Sequence, residues 1–198
     1  RISVHLNQRS EMLSGISHDL RTPLTRLKLQ LALLKQQDLA KKMSDDIEEM
    51  ERMLNEYLEF AQYQKSEKTE MINLNYVIKD IVKKYEDKQI NLSLEENPKI
   101  YVRPNSIKRC LINLVDNALA YGHKTEIFTK KIMNHMVILI DDDGPGIPKS
   151  EYQNVLKPFY RIDKSRGQNK SGVGLGLSIA NDIVRSHGGN ISLEKSPL

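Results

Sequence analysis

Residues 17–24 read Ser-His-Asp-Leu-Arg-Thr-Pro-Leu and lie within the first of two amphipathic patterns. Apolar residues recur there at steps of three and four, which predicts one stripe of a helix near heptad spacing. The first stripe comprises Leu13, Ile16, Leu20, Leu24, Leu27, Leu31 and Leu34. After a break near residues 37–38, a second stripe comprises Met43, Ile47, Met50, Leu54, Tyr57 and Ala61. Two such helices joined by a few residues predict an antiparallel hairpin.

A single hairpin leaves much of both apolar stripes in contact with water. Pairing two hairpins into a four-helix bundle buries these stripes, so the pattern predicts a homodimer. The second helix also carries a group of acidic side chains, which indicates a solvated acidic face or, alternatively, a docking surface. These acids are Asp45, Asp46, Glu48, Glu49 and Glu51.

His18 lies off the first stripe and shares a helix face with Thr22, four residues later. Pro23 removes a helix hydrogen bond and clashes with the carbonyl of Asp19, which predicts a kink beside the histidine. A neutral imidazole nitrogen is a competent nucleophile near pH 7. Asp19 is suited to orient the ring or to accept its proton, and Thr22 to hydrogen-bond a water. The competing interpretation is a solvated histidine on an ordinary polar helix face.

Composition narrows the classes of partner and compartment. The 30 basic and 26 acidic residues are largely interspersed, with three Phe and no Trp, which argues against direct nucleic-acid binding. The single Cys110 excludes an internal disulfide framework, fits a reducing compartment and is predicted to be a buried small hydrophobe. No apolar run reaches the roughly 20 residues that span a bilayer. Since the chain starts without Met, we expect a cytoplasmic fragment whose membrane contact lies in other segments.

The heptad pattern ends in a polar stretch, so we divide the chain into a hairpin domain at 1–66, a linker at 67–72 and a second domain at 73–198. The stretch Asn73-Leu74-Asn75 is placed to cap a helix that runs through Tyr85, and Pro104 to open another helix at a favoured first-turn position. Alternating runs predict strands near 90–94, 100–102, 125–131 and 136–141. This order of elements predicts an α+β sandwich with helices on one face of a sheet.

Three sequence clusters in the second domain suit a nucleotide. In the first, Asn113 and Asn117 lie four residues apart on the helix after Pro104 and project from one face. An Asn carboxamide oxygen is a hard neutral ligand suited to a Mg²⁺ ion that also keeps phosphate and water ligands. The alternative is a helix with polar residues on its solvated side.

The second cluster, residues 141–146, reads Asp-Asp-Asp-Gly-Pro-Gly at the end of an apolar strand. Adjacent acids repel a triphosphate, so we expect one carboxylate to accept the exocyclic amine of adenine instead. Gly144 and Gly146 let the chain turn and approach a ligand closely. A turn that binds no ligand is the alternative.

The third cluster is the run of Gly172, Gly174 and Gly176 that enters an amphipathic helix. Glycine amides at a helix N-terminus favour an anion. A dinucleotide-binding turn requires a strand immediately before it, whereas a polar, basic loop precedes this one. The Gly-Lys-Ser/Thr of a phosphate-binding Walker motif is absent.

Residues 17–24 closely resemble the phospho-acceptor box of the sensor histidine kinases of two-component systems. The flanking Thr25-Arg26 and the later Ile47-Glu48 are similar to the osmosensing, EnvZ-like branch. The resemblance implies phosphorylation of Nε2 of His18, with Asp19 as the general base. It also implies that Thr22 supports dephosphorylation of a bound response regulator of the OmpR type.

In order and spacing the three clusters resemble the N box and the two glycine boxes of the histidine-kinase catalytic domain, and residues 157–161 resemble its F box. The resemblance implies a Bergerat-type ATP fold, with Asn113 and Asn117 at Mg²⁺ and Asp142 at adenine. Tyr121 and Arg161 are implied to contact the nucleotide. A mobile lid is implied over about 148–171, with three basic side chains that add phosphate contacts. These are Lys164, Arg166 and Lys170.

Two features depart from the family pattern. Ala120 stands where many relatives carry a basic residue, which removes one phosphate contact. The family usually has a further strand after the His187-Gly188-Gly189 turn and the strand that follows this turn. Since the sequence stops at Leu198, we expect that last strand to be missing. The other histidines lack metal-ligand spacing and are interpreted as structural or surface residues. These are His5, His123, His135 and His187.

Together these features predict an ATP-dependent protein histidine kinase that passes its phosphoryl group to a response regulator and dephosphorylates it. Catalysis of this transfer relies mainly on positioning and charge neutralisation. Two other functions remain open at this point. One is a dimeric docking scaffold whose ATP site only stabilises a conformation, and the other is a chiefly phosphatase role based on Thr22. We also expect the full-length protein to carry a membrane sensor before Arg1, in a bacterial inner membrane.

Overall fold

A computed structural model describes residues 23–31, 39–41, 43–48, 50–51, 54, 67–95, 98–162 and 174–198. The chain divides into two compact units, Arg1–Ser66 and Glu67–Leu198. His18, Asp19, Thr22 and Gly172 lie outside the described residues, as do the basic side chains of the expected lid.

The first unit contains the helical residues 23–31 (α1) and 43–48 (α2), with further helical residues at 39–41, 50–51 and 54. Leu24, Leu31 and Ile47, which belong to the two predicted stripes, form a buried cluster. Across the two helical segments Lys28 Nζ contacts Glu51 Oε2 at 2.7 Å. The kink predicted at Pro23 involves the carbonyl of Asp19 and therefore lies outside the described residues.

The second unit is a mixture of strands and helices, which confirms the predicted α+β class. Its strands are β1 (Glu70–Asn73), β2 (Gln89–Ser93), β3 (Lys99–Val102), β4 (Lys124–Ile132) and β5 (His135–Asp142). Its α-helices are α3 (Leu74–Val82), α4 (Pro104–Tyr121) and α5 (Gly176–Ser186), with 3₁₀ turns at Lys83–Tyr85 and Lys149–Glu151. The strands form a two-stranded antiparallel sheet, β1-β3, and a three-stranded sheet, β2-β4-β5.

The larger sheet pairs β2 with β4 in parallel and β4 with β5 in antiparallel register. Thr125, Ile127 and Thr129 are buried at alternate positions of β4 and mark the face that the helices cover. Helix α4 packs against α5 and against both β4 and β5. Cys110 lies in this core, as predicted, and burial raises the pKa of its thiol to about 12.

Residues 67–72, interpreted from the sequence as a linker, fold with the second unit. Glu70 to Asn73 form β1, in which Met71 pairs with Tyr101 and Ile72 with Ile100 of β3. The prediction of a linker was wrong here because these four residues lack the alternating hydrophobicity that predicts a strand. Their pairing with β3 stabilises the strand.

Asn73 caps α3 as predicted, and its side chain accepts a hydrogen bond from the Asn75 amide at 3.0 Å. The α-helix ends at Val82 rather than Tyr85, and the last predicted turn is 3₁₀. Beyond α5, residues 189–198 form no regular strand, although one was expected directly after Gly189. Exposure alternates as in a strand only over residues 190–194, and no strand of the described chain pairs with them.

Candidate functional site

The second unit brings the first and third clusters together through the antiparallel pair α4 and α5. At one end of this pair, a methyl group placed on Gly176 would lie 3.8 Å from Cβ of Asn113. At the other end, the Arg103 guanidinium, just before α4, donates to Ser186 Oγ at the end of α5. The asparagine cluster therefore faces the first turn of the glycine-led helix. We call the Asn113–Gly176 end the nucleotide end and the Arg103–Ser186 end the anchor end.

Asn113 and Asn117 are both half-buried, one helical turn apart. Within the described residues the Nδ2 of Asn113 is buried and has no hydrogen-bond partner. An unpaired buried amide costs free energy, so such a group in a folded protein calls for an explanation. A ligand oxygen that accepts from Nδ2 supplies one.

The aspartate cluster follows β5, and Asp142 is its last strand residue. One oxygen of its carboxylate accepts a hydrogen bond from the Gly144 amide at 3.0 Å, which closes the turn. Directly opposite, on β4, lies the fully buried Thr125. Its Oγ1 has no partner among the described residues. Asp142 and Thr125 thus present a carboxylate oxygen and a hydroxyl on the helix-covered side of the sheet.

The three consecutive aspartates have different environments. Asp143 is exposed, and the backbone amides of His123 and Lys124 donate to its Oδ1 at 2.6 and 2.9 Å. These bonds hold the pKa of Asp143 below its ordinary value. Asp141 is buried on the opposite side of the strand, where burial and the nearby Glu126 raise its pKa. Of the three, only Asp142 lies opposite Thr125.

Two glycines of the site permit close backbone approach. A methyl group on Gly144 would lie 2.9 Å from the carbonyl oxygen of Tyr121, the last residue of α4. Gly174 has a φ of +79°, and a methyl group there would lie 2.8 Å from the Tyr160 carbonyl oxygen. The Phe159 amide also donates to the Gly174 carbonyl at 3.0 Å. Gly146 has a φ of +71° in open surroundings, which suits a turn.

Sequence reasoning gave no individual role to Thr125 or Glu151, and it named Tyr160 only as part of the F box. Thr125 was predicted only as part of a strand; a polar residue at an inward-facing position was the available signal. The Tyr160 hydroxyl donates to Glu151 Oε2 at 2.5 Å, and Asn154 donates to the same oxygen at 3.1 Å. This network fixes the F-box chain where it meets Gly174. The predicted contacts Tyr121 and Arg161 are both exposed.

The donor set suits a Mg²⁺ ion held partly by a nucleotide. No group of three or more His, Cys, Asp or Glu side chains able to hold a metal ion occurs among the described residues. A neutral carboxamide oxygen, as on Asn117, agrees with a hard cation whose remaining ligands are phosphates and waters. Such an ion neutralises phosphate charge when it is bound.

Comparison with protein families matches both units. Residues 8–66 match the His Kinase A (phospho-acceptor) domain. Residues 102–197 match the histidine kinase-, DNA gyrase B- and HSP90-like ATPase. The described residues include no helix long and apolar enough to cross a bilayer.

Individual relatives agree with these matches. The chain is 36% identical over 196 residues to the sensor histidine kinase GtrS of Pseudomonas aeruginosa, covering 98% of this chain and 41% of that protein. It is 34% identical over 208 residues to the sensor histidine kinase CpxA of Escherichia coli, covering 98% and 45%. The structure of the Acinetobacter baumannii histidine kinase AdeS is similar with a TM-score of 0.62 and 27% identity, covering 90% of this chain and 92% of that one. The chain spans less than half the length of GtrS and CpxA.

Proposed function

Because this chain belongs to the sensor histidine kinases, we propose that it transfers the γ-phosphoryl group of ATP to its own His18 and then to an aspartate of a separate response regulator. The observation that carries the proposal is the nucleotide end of α4 and α5. There Asn113, whose Nδ2 has no partner among the described residues, lies beside the start of α5; on the sheet, Asp142 pairs with Thr125.

The proposed binding mode follows from the donors and acceptors of this site. The Asp142 carboxylate accepts the adenine amine, and the Thr125 hydroxyl hydrogen-bonds the adenine edge or a bridging water. The first-turn amides of α5 and the Asn113 amide donate to phosphate oxygens. The carboxamide oxygens of Asn117 and Asn113 ligate Mg²⁺. Tyr121 and Arg161 contact the nucleotide, and Gly172 belongs to the same glycine-rich stretch.

In the proposed reaction, the lone pair on Nε2 of neutral His18 attacks the γ-phosphorus. The bond between that phosphorus and the β–γ bridging oxygen breaks, and ADP leaves with the electron pair. Asp19 accepts the proton on the other ring nitrogen, so the phosphorylated ring stays neutral. The chain supplies mainly position and charge neutralisation, as is usual for phosphoryl transfer.

Labelling with γ-³²P Mg-ATP tests the proposal. We expect an acid-labile, base-stable phosphoprotein that disappears in His18→Ala and persists in His123→Ala, a matched exposed histidine. Asn117→Ala should lose label while retaining its fold by circular dichroism. Label that persists in His18→Ala would exclude this histidine as the acceptor. Absence of label in the folded parent chain would favour a scaffold that only binds ATP.

We also propose a phosphatase activity in which Thr22 positions a water for attack on the phosphoaspartate of an OmpR-type regulator. The family relationship supports it, and Thr22 follows His18 by one helical turn in the sequence. Thr22→Ala should retain autophosphorylation but lose dephosphorylation of an added phosphoregulator. Equal dephosphorylation by both chains would contradict this role.

A homodimer is proposed for the first unit, in agreement with the phospho-acceptor family. In the single chain, Leu27, Met43 and Met50 of the predicted stripes remain 43%, 41% and 52% exposed. Burying them against a second hairpin removes apolar surface from water. Light scattering should give twice the chain mass, and a monomer at micromolar concentration would contradict the proposal. A cytoplasmic location, as part of a membrane sensor, is proposed from the similarity to the sensor histidine kinases GtrS and CpxA.

A further inference from the structure

Glu67, the first residue of the second unit, lies against the start of α4. Its carboxylate accepts hydrogen bonds from the amides of Asn105 and Ser106, the latter at 3.0 Å, and from the Ser106 hydroxyl at 2.7 Å. Burial alone would raise the pKa of Glu67, but these bonds hold it below its ordinary value. The carboxylate is therefore a specific partner of this helix start.

Helix α4 depends on this distant residue for its cap. Arg103, at the N-cap position, makes no side-chain capping bond, and the first turn contains no acidic residue. An uncapped start leaves backbone amides unpaired and lacks a negative charge near the positive end of the helix dipole. Glu67 supplies both from 38 residues earlier in the chain.

The same end of α4 is tied to α5. The backbone amide of Arg103 donates to Nε2 of His187 at 3.1 Å, and its guanidinium donates to His187 and Ser186. Three residues beyond Glu67, β1 begins its pairing with β3, which leads directly into α4. The chain that enters the second unit is thus held at the anchor end of both helices that form the nucleotide end.

We propose that Glu67 is a positioning residue that makes the boundary between the two units move as one body with α4 and α5. Arg103 at the anchor end precedes Asn113 by ten residues, roughly 15 Å at about 1.5 Å per residue. A change of direction in the boundary chain would then reorient the bound nucleotide without altering its contacts. We call the hydrogen bonds from Asn105 and Ser106 to the Glu67 carboxylate the latch. The catalytic consequence of this inference rests on the proposed kinase function, but the latch itself is independent of that function.

The test uses the full chain with Glu67→Gln and Glu67→Ala, and with Glu70→Gln as a matched exposed control on the same segment. The first readout is tryptic cleavage of the Lys68–Thr69 bond, followed by mass spectrometry of the fragment that starts at Thr69. Loss of a cap should open this segment more often, so we expect cleavage about 5- to 10-fold faster in both Glu67 variants and unchanged in the control. Equal cleavage in all chains would overturn the latch.

The second readout compares ATP binding with labelling of His18. We expect a dissociation constant for a fluorescent ATP analogue within about twofold of the parent, because Glu67 is remote from the nucleotide end. The labelling rate at saturating ATP should fall by roughly 10-fold, as expected when a reacting group is misplaced. Faster cleavage with an unchanged labelling rate would overturn the positioning role. A parent chain that never labels would instead count against the proposed kinase function, while the cleavage result would still decide the latch.

Discussion

The two ends of the α4–α5 pair differ in whether their polar side chains have hydrogen-bond partners. At the anchor end, polar side chains find partners: Glu67 with Ser106, and Arg103 with Ser186 and His187. By contrast, Asn113 at the nucleotide end and Thr125 on β4 keep buried polar atoms without partners among the described residues. Partnered polar groups therefore gather at the anchor end, and we propose that the unpartnered atoms of Asn113 and Thr125 serve a ligand.

We expect the largest effect on ATP affinity from a substitution at the proposed adenine contact. Asp142→Ala removes the proposed acceptor of the adenine amine and should weaken ATP binding by roughly 10- to 150-fold, since a hydrogen bond to a charged group contributes about 1.5–3 kcal/mol. Asp143→Ala is the control because its carboxylate is engaged with two backbone amides. Calorimetric titration with ATP and with GTP measures the nucleotide affinities of the two variants. A greater loss of ATP affinity in Asp143→Ala would reverse the assignment.

We expect the next largest effect, on the free energy of unfolding, from a substitution at the anchor end. Arg103→Ala removes the side-chain bonds to His187 and Ser186 and should lower the free energy of unfolding by about 1–2 kcal/mol. Its ATP affinity should stay at the parent value. Arg185→Ala, an exposed arginine in the same turn of α5, should change stability by less than about 0.5 kcal/mol. Urea unfolding followed by circular dichroism compares them, and equal losses would show that the Arg103 bonds contribute nothing specific.

A smaller effect compares two threonines on the same face of β4. Thr125 Oγ1 has no described partner, whereas Thr129 Oγ1 accepts from the Glu95 amide at 2.8 Å. Thr125→Val should therefore leave stability without ATP unchanged or raise it by up to about 1 kcal/mol, while Thr129→Val should lower it by about 1 kcal/mol. Thermal unfolding with and without Mg-ATP measures this. A destabilised Thr125→Val would mean that its hydroxyl is already satisfied.

The smallest expected effect is a pH dependence at the anchor end. Burial, reinforced by Arg103, lowers the pKa of His187, while Glu67 and the Ile183 carbonyl act in the opposite direction. The unfolded state then binds more protons, so stability is retained above pH 6.5 and is lost as pH falls below it. The melting temperature of His187→Asn should decline less than that of the parent between pH 7 and 5. Parallel curves would remove His187 as the cause.

Much of the second unit could be predicted because its signals are local. Asn73 as a cap, Pro104 as a first-turn residue and the alternation within β4 and β5 each specify structure from a few neighbouring residues. The latch from Glu67 to α4 and the pairing of β1 with β3 could not be predicted, since they join residues 26 to 39 positions apart. The same holds for Thr125, whose place opposite Asp142 depends on register. The roles of His18, Asp19 and Thr22 stay predictions.

The strand order of the larger sheet also has a consequence for how the second unit assembles. β4 and β5 are joined by only Met133 and Asn134, so this hairpin can form on a microsecond scale from neighbouring residues. Pairing of β2 with β4 must instead close a span that contains β3 and the whole of α4. Because such distant contacts are slow to form, we expect Thr125 to meet Asp142 before β2 completes the sheet. The adenine side of the proposed site is therefore expected to be an early product of folding, with the sheet edge at β2 a late one.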